Sequence, residues 1–300
     1  MEKYKFLEKL GRGSHGTVYL LEDLTNKTSK VVCKSVVEKH LRHAQKEVLI
    51  LSKLCHKRII KLEEFIQAKG SSFIILEYAN RGTLDTVISF FIHKNRKATD
   101  FLLWSIFSQI AEGLEYLHSK NIIHRDIKPS NILINSIHSS DNEEVLEFKI
   151  CDFSLSYQLS DEDEYIESSI VGTPFYMAPE IVSKTKYNNT VDIWGLGVTM
   201  YEVSCLSKPF KGENRTDLYK QIKKTNVKKG FIHDKILEDL VLKCLSRTNR
   251  PTAFQITNNT YVKLHLAMLD IKIKDIKIDE LENKLKNLED KLNWPPTPNK

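Results

Sequence analysis

The strongest constraint on this chain is a change of hydrophobic period about a quarter of the way along it. Residues 4–37 alternate in the manner of strands, broken by a glycine cluster at 11–16. A period of two suits half-buried strands and not a helix. From Leu41 to Leu54 the apolar residues Leu49, Ile50, Leu51 and Leu54 sit at helical spacing, and 59–79 returns to short β-like runs ending in FIILEYA. Past Gly82 the periods lengthen, predicting helices at 83–93 and 99–119, the second carrying Phe101, Ile106, Ile110, Leu114 and Leu117. A strand-rich first part with one helix, then a mainly helical remainder, makes an α+β chain of two unlike lobes joined near 77–82. A length of 300 residues allows two such lobes and is short for three domains.

Composition narrows the function classes. At 41% apolar and 28% charged the chain reads as globular. No run of about 18 uncharged apolar residues occurs, so no membrane partner is expected. The opening MEKYKFLEKLGRG lacks the apolar core of a secretion signal, which predicts a cytoplasmic protein. Five cysteines (33, 55, 151, 205, 244) are odd in number and lack CxxC spacing, as expected of reduced thiols. A net charge of +6, from 45 basic and 39 acidic residues, is too mixed to predict a nucleic-acid partner. No repeat of 20–50 residues is present. Polar, acidic loops are expected at 136–147 and at 158–169, the second with Asp161, Glu162, Asp163, Glu164 and Glu167.

The chemistry lies in a series of motifs. Gly11-Arg-Gly13-Ser-His-Gly16-Thr-Val18 is a G-x-G-x-x-G-x-V loop between two strands, able to close its N–H groups over phosphate oxygens. Val18 continues as strand, which argues against a dinucleotide fold; a plain glycine-rich hairpin is the alternative. Lys34 sits on the next strand and Glu47 on the following helix, where the two can pair. In His124-Arg-Asp126-Ile-Lys128-Pro-Ser-Asn131 a carboxylate, an ammonium and an amide fall within six positions. Such a set can orient a hydroxyl, neutralise a transferring phosphoryl group and hold a metal. Asp152-Phe-Ser154 adds a second metal-ligand candidate, and Ala178-Pro-Glu180 follows.

These blocks, in this order over roughly residues 4–258, resemble a eukaryotic protein kinase. The resemblance implies a bilobal kinase fold: an N-lobe at 1–79 and a C-lobe at 80–260. It implies ATP and Mg2+ as cofactors and protein substrates as partners. Gly11, Gly13 and Gly16 would cover the phosphates, with Arg12 and Ser14 in the same cofactor-binding loop. Leu10, Val18, Val32 and Leu133 would sandwich the adenine, and Glu77 and Ala79 would offer backbone hydrogen bonds beside Leu76. Lys34, paired with Glu47, would hold the α/β-phosphates. Asp126 would orient the substrate hydroxyl, Lys128 would stabilise the phosphoryl group, and Asn131 and Asp152 would hold magnesium. Glu180 should pair with Arg250, and Asp192 should anchor the catalytic loop.

Lys128 and the segment Gly172-Thr173-Pro-Phe-Tyr-Met-Ala-Pro-Glu180 resemble the serine/threonine branch, with Thr173 placed to bond Asp126 and Lys128. Leu155 resembles enzymes that favour serine acceptors. The whole is most similar to the NIMA-related kinases. Arg125, directly before Asp126, suggests control by an anion on the activation segment, with Ser169 first and Ser168 next as phosphosites. Several positions depart from the family pattern. Ser154 replaces glycine, Val32 replaces alanine, and Lys34 lies only 13 residues before Glu47. They feed the rival reading of a pseudokinase scaffold.

At 264–293 the sequence changes character to a coiled-coil-like helix, followed by a proline-containing tail at 294–300. Leu264, Ala267, Ile271, Lys274, Ile278, Leu281, Leu285, Leu288 and Leu292 make a heptad seam. Asp275, Glu282 and Glu289 flank it at e, and Lys277, Lys284 and Lys291 at g, so a parallel homodimer matches opposite charges. The competing expectation is one amphipathic helix folded back on its own lobe. Trp294-Pro-Pro should end the helix.

Overall fold

The computed structural model describes residues 2–12, 16–25, 29–37, 40–68, 70–139, 144–160, 165–166 and 169–292, with side chains to 288. The predicted strand run forms one antiparallel sheet of β1 (Tyr4–Arg12), β2 (Thr17–Asp23), β3 (Lys30–Val37), β4 (Leu62–Ala68) and β5 (Ser71–Glu77), in the order β1-β2-β3-β5-β4. The period-two pattern splits this sheet's cores. Leu21, Val31, Cys33 and Ile75 pack on one side. On the other, Val36 and Ile74 meet Ala44 of the single helix, α1 (Leu41–Leu51).

Past residue 83 the chain is mainly helical: α2 (Leu84–His93), α3 (Asp100–Ser119), α4 (Pro179–Val182), α5 (Thr190–Cys205), α6 (Arg215–Lys224), α7 (Lys235–Cys244), α8 (Ala253–Thr257) and α9 (Thr260–Leu292). The Thr99 hydroxyl caps α3 by accepting the Leu102 N–H at 3.3 Å. Helices α3 and α5 are buried almost throughout, because the large core closes around them. Two short ribbons carry the loops between α3 and α4: β6 (Ile122–Ile123) with β9 (Tyr157–Gln158), and β7 (Ile132–His138) with β8 (Glu144–Ile150).

The loop expected at 136–147 is not one. Ser136 pairs with Leu146 and His138 with Glu144, so most of it is antiparallel hairpin. Its two faces are both used: Ile132, Ile134, Phe148 and Ile150 share the face buried in the lobe core, and the other face carries Asn135, which bonds Glu147, with Ile137 and Val145 beyond them. In the second expected loop, Tyr157–Gln158 is strand and Ile166 bridges Tyr187; Asp161, Glu162, Asp163, Glu164 and Glu167 lie outside the described residues.

Helix α9 is one continuous helix of 33 residues. It folds back on its own lobe, but not through the predicted seam. Val262, Leu266, Leu269, Ile273 and Ile276 turn inward, the last two packing on Ile137 and Val145 of the hairpin. At 3.6 residues per turn this stripe lies opposite Leu264, Ile271, Ile278, Leu281, Leu285 and Leu288, all of which are more than half exposed. Helix-to-lobe packing and the seam therefore use different faces of one helix. Trp294 lies outside the described residues.

Candidate active site

Strand β6 delivers His124, Arg125 and Asp126 to the lobe surface, and the buried Asp192 of α5 fixes them there. Its Oδ1 accepts the Arg125 N–H at 2.7 Å; its Oδ2 accepts the His124 N–H at 2.9 Å and lies 2.9 Å from His118 Nε2. Burial pushes the Asp192 carboxyl up, and the hydrogen bonds and charges of His118 and His124 outweigh it, leaving the group below its ordinary value. Arg125 is held in the left-handed region, φ +67°. Asp126 is 5% exposed and saturated with donors. Thr173 gives its N–H at 2.9 Å and its hydroxyl at 2.7 Å, Lys128 Nζ stands at 2.6 Å, and Asn131 Nδ2 at 3.0 Å. Lys128 also donates to Thr173 Oγ1 at 2.7 Å, and Asn131 Nδ2 to the Asp126 carbonyl at 2.8 Å. Asn131 thus spends its amide hydrogens on Asp126 and keeps Oδ1 as an acceptor. Gly172 permits the approach of Thr173: its φ is +109°, and a Cβ there would meet the Arg125 carbonyl oxygen at 2.7 Å.

A second cluster faces this one from the sheet. Lys34 on β3 donates to both Glu47 oxygens of α1, at 2.9 and 2.7 Å, and lies 3.3 Å from Asp152 Oδ1. Burial would lower the Lys34 ammonium, but Glu47 and Asp152 overcome it and keep the group protonated. The short spacing between Lys34 and Glu47 therefore does not prevent their pairing. Asp152, left-handed at φ +63°, is pushed up by burial and pulled down by the Lys34 charge, the Ser154 hydroxyl and His124, settling at about 2. Ser154 is buried beside it. The serine that breaks the family pattern is thus a partner of the carboxylate it follows.

The remaining cleft residues come from the sheet and from β7. Gly11 and Arg12 end β1, and Gly13 and Ser14 lie outside the described residues. At Gly16 the chain crosses so close to β3 that a Cβ would sit 2.0 Å from the Ser35 carbonyl oxygen, so only glycine fits. Val18 pairs with Gly11 and Lys34, and Val32 with Leu76. Leu10 is 45% exposed, and Ala79 is buried. The Glu77 carboxylate accepts the Lys61 N–H at 2.7 Å and Lys149 Nζ at 3.1 Å. Leu133 is fixed by backbone bonds on the next residue, Ile134 N–H to Gly82 at 2.8 Å and Arg81 N–H to Ile134 at 2.9 Å.

A model of the protein kinase domain matches residues 4–262. The chain belongs to the protein kinase domain family. Among its relatives, the probable serine/threonine-protein kinase nek1 of Dictyostelium discoideum is 32% identical over 279 residues, covering 87% of this chain and 57% of that protein. The probable serine/threonine-protein kinase nek3 of the same organism is 30% identical over 96% of this chain and 26% of its own length. Calcium-dependent protein kinase 5 of Plasmodium berghei is 35% identical over 75% of this chain and 37% of its own length. The chain thus spans between a quarter and three fifths of these relatives. The relatives named nek bear out the NIMA-related resemblance.

In this kinase domain the expected Glu180–Arg250 pair forms at 2.7 Å. Arg125 does not meet a carboxylate among the described residues: Nε donates to the Leu155 carbonyl at 2.7 Å and one guanidinium nitrogen to Tyr187 Oη at 3.2 Å. The Ser169 hydroxyl lies 2.9 Å from the same Tyr187 oxygen; Ser168 lies outside the described residues. Sequence reasoning missed Tyr187, Tyr157 and Lys46. Arg125 and Lys46 both lie over the Tyr157 ring, at 5.3 and 5.6 Å, and burial and Arg125 together lower the Lys46 ammonium. No local spacing marks these residues, since they meet only across three elements. Burial pushes the Cys151 thiol well up, as for a packing residue.

Proposed function

We propose that this chain transfers the γ-phosphoryl group of ATP to protein serine and, less readily, threonine hydroxyls. The observation that carries this reading is Asp126, held by Thr173, Lys128 and Asn131, facing a Lys34–Glu47 pair that also reaches Asp152. Asp126 accepts the hydroxyl proton and aims the nucleophile. Lys128, within 2.6 Å of that carboxylate, neutralises charge that develops on the transferred oxygens. Lys34 holds the α/β-phosphates, oriented by Glu47. Gly11, Gly13 and Gly16, with Arg12 and Ser14 of the same loop, would cover the phosphates, and Leu10, Val18, Val32, Leu133, Glu77 and Ala79 would take the adenine.

Asn131 Oδ1 and the Asp152 carboxylate suit Mg2+: both are hard oxygen donors, and a carboxyl held at about 2 is ionised throughout the neutral range. When bound, the ion supplies charge neutralisation to the phosphates. The pseudokinase reading loses support because Lys34, Glu47 and Asp152 form one contacting set, Asp126 and Asn131 another, and the Cys151 N–H, beside Asp152, bonds the Asn131 carbonyl at 2.9 Å. The test is phosphoamino-acid analysis of a mixed serine and threonine peptide library after incubation with the purified chain and ATP. Phosphoserine in excess of phosphothreonine is expected; no label in either contradicts the reading.

The finer reading covers control and assembly. Phosphate on Ser169 would meet Arg125 beside Tyr187, with Lys46 of α1 nearby, joining the activation segment to the helix that carries Glu47. The exposed seam of α9 pairs two chains in parallel, with Lys277 against Glu282 and Lys284 against Glu289. The inward stripe meanwhile keeps each helix on its own lobe. Among the described residues no helix is long and apolar enough to cross a membrane; the reading places the enzyme in the cytoplasm.

A further inference from the structure

Helix α9 does not fill all the space beneath it. Between α9, the first half of α3 and β8 lies a cavity of about 170 Å3, walled by Leu102, Leu146, Leu266 and Leu269. From Val145, at its edge, onward the same helix packs closely, with Val145, Ile273 and Ile276 at most 8% exposed. The void is therefore not a helix standing off its lobe. It is a mainly apolar pocket that opens to solvent past the exposed Phe101, Met268 and Lys272, so an apolar body can enter it with a polar end left at the mouth.

Of the polar residues on its lining, Gln109 donates to Ser105 and to the Leu146 carbonyl and Ser108 to the Trp104 carbonyl, and the rest are unequal. Glu144 is already engaged by Arg81, at 2.6 and 3.0 Å. His265 is stacked on Trp104 at 4.6 Å, with Nδ1 2.8 Å from the Tyr261 carbonyl oxygen. Lys272 has no carboxylate partner among the described residues; its ammonium lies 5.9 Å from the centre of the Phe101 ring. An unmatched cation at the edge of an apolar chamber selects an anionic head on an apolar body.

We propose that this cavity binds a monocarboxylate whose apolar body is about six to eight carbons long. The carboxylate pairs with Lys272, and the body lies among Leu102, Leu146, Leu266 and Leu269. This site is separate from the phosphotransfer cleft, and the inference does not depend on that function. The walls give occupancy a route to the rest of the molecule. Strand β8 runs directly into Cys151 and Asp152, and Asp270 of α9 binds Lys57, in the stretch between α1 and β4, at 2.8 Å.

The test is isothermal titration of the full chain with octanoate and, as the uncharged counterpart, octan-1-ol. Wild type should bind octanoate saturably with one site per chain. Lys272→Met should weaken octanoate about two- to fivefold, the scale of one exposed charge pair, and leave octan-1-ol unchanged. Leu269→Trp, which fills the chamber from α9, should abolish both. Leu146→Phe fills it from β8 and repeats the test should the first variant fold poorly. The proposal is overturned if octanoate shows no saturable binding at millimolar concentration. It is also overturned if both filling variants still bind, or if Lys272→Met weakens the acid and the alcohol equally.

Discussion

Asp192→Ala removes one carboxylate and with it the two backbone hydrogen bonds that fix His124 and Arg125, at 2.9 and 2.7 Å, and the contact to His118 at 2.9 Å. Hydrogen bonds to a charged group contribute about 1.5–3 kcal/mol each, and a buried N–H left unpaired costs a similar amount. Losing the two backbone bonds therefore costs about 3–6 kcal/mol, a large part of the roughly 5–15 kcal/mol that keeps a domain folded. Arg125 adds to this, because its left-handed φ of +67° is an unfavourable state held by those contacts. At about 2–4 °C per kcal/mol for a unit of this size, the melting temperature should drop by roughly 10 °C or more. Phosphotransfer should fall with it, since Asp126 is the next residue. Asp192→Asn keeps the shape but turns an amide N–H toward a donor, so it should do nearly as much damage. Calorimetry and a peptide-phosphorylation assay on both variants read the two effects. An Asn variant melting within about 2 °C of wild type, with kcat within about twofold, would refute the anchoring role.

The acid limb of stability should report Asp152. Its folded carboxyl sits at about 2 against an ordinary 3.8, so the unfolded chain takes up the proton first. Its contribution, on the order of 2 kcal/mol, is present above about pH 4 and is lost as pH falls toward 2. Ser154→Gly removes a hydroxyl that lowers the group and should move this limb upward; an unchanged pH profile of unfolding contradicts the pairing. In the tail, Ile273→Ala with Ile276→Ala should cost about 2 kcal/mol or more of stability per site and lower the melting temperature, without changing the mass seen by light scattering. Leu281→Lys with Leu288→Lys should do the reverse, converting dimer to monomer at little cost in stability, and an exchange of the two outcomes would reverse the assignment of faces. Ser169→Ala and Lys46→Ala should both lower the activity of the phosphorylated enzyme, and full activity after complete dephosphorylation would exclude a switch at Ser169.

The candidate catalytic set was legible because its residues lie close together in sequence. Asp126, Lys128 and Asn131 fall within six positions, and Lys34 and Glu47 sit on adjacent elements with strong periods. What the chain hid was decided at a distance. The β7–β8 hairpin read as a loop because the polar run SSDNEE at 139–144, with Asn135 and Glu147, hides its alternation, in which Ile134 and Phe148 face the lobe core and Ile137 and Val145 the other side. Missing the hairpin concealed the surface on which α9 packs. With no partner in view, the leucine seam outweighed the sparser stripe of Val262, Leu266, Leu269, Ile273 and Ile276, although both repeat in steps of three and four. Ser154 read as a mere loss of backbone freedom, since nothing in the sequence shows that its hydroxyl reaches Asp152.

Transfer of labelled phosphate from ATP to a serine peptide, measured for wild type and for Asp126→Ala under the same magnesium concentration, reads the catalytic centre most directly. Wild type should label the peptide, and the variant, shown to be folded by circular dichroism, should be slower by about 10²–10⁴-fold, the range of a positioned general base. Equal rates in the two proteins, or transfer by neither, would contradict phosphoryl transfer at Asp126.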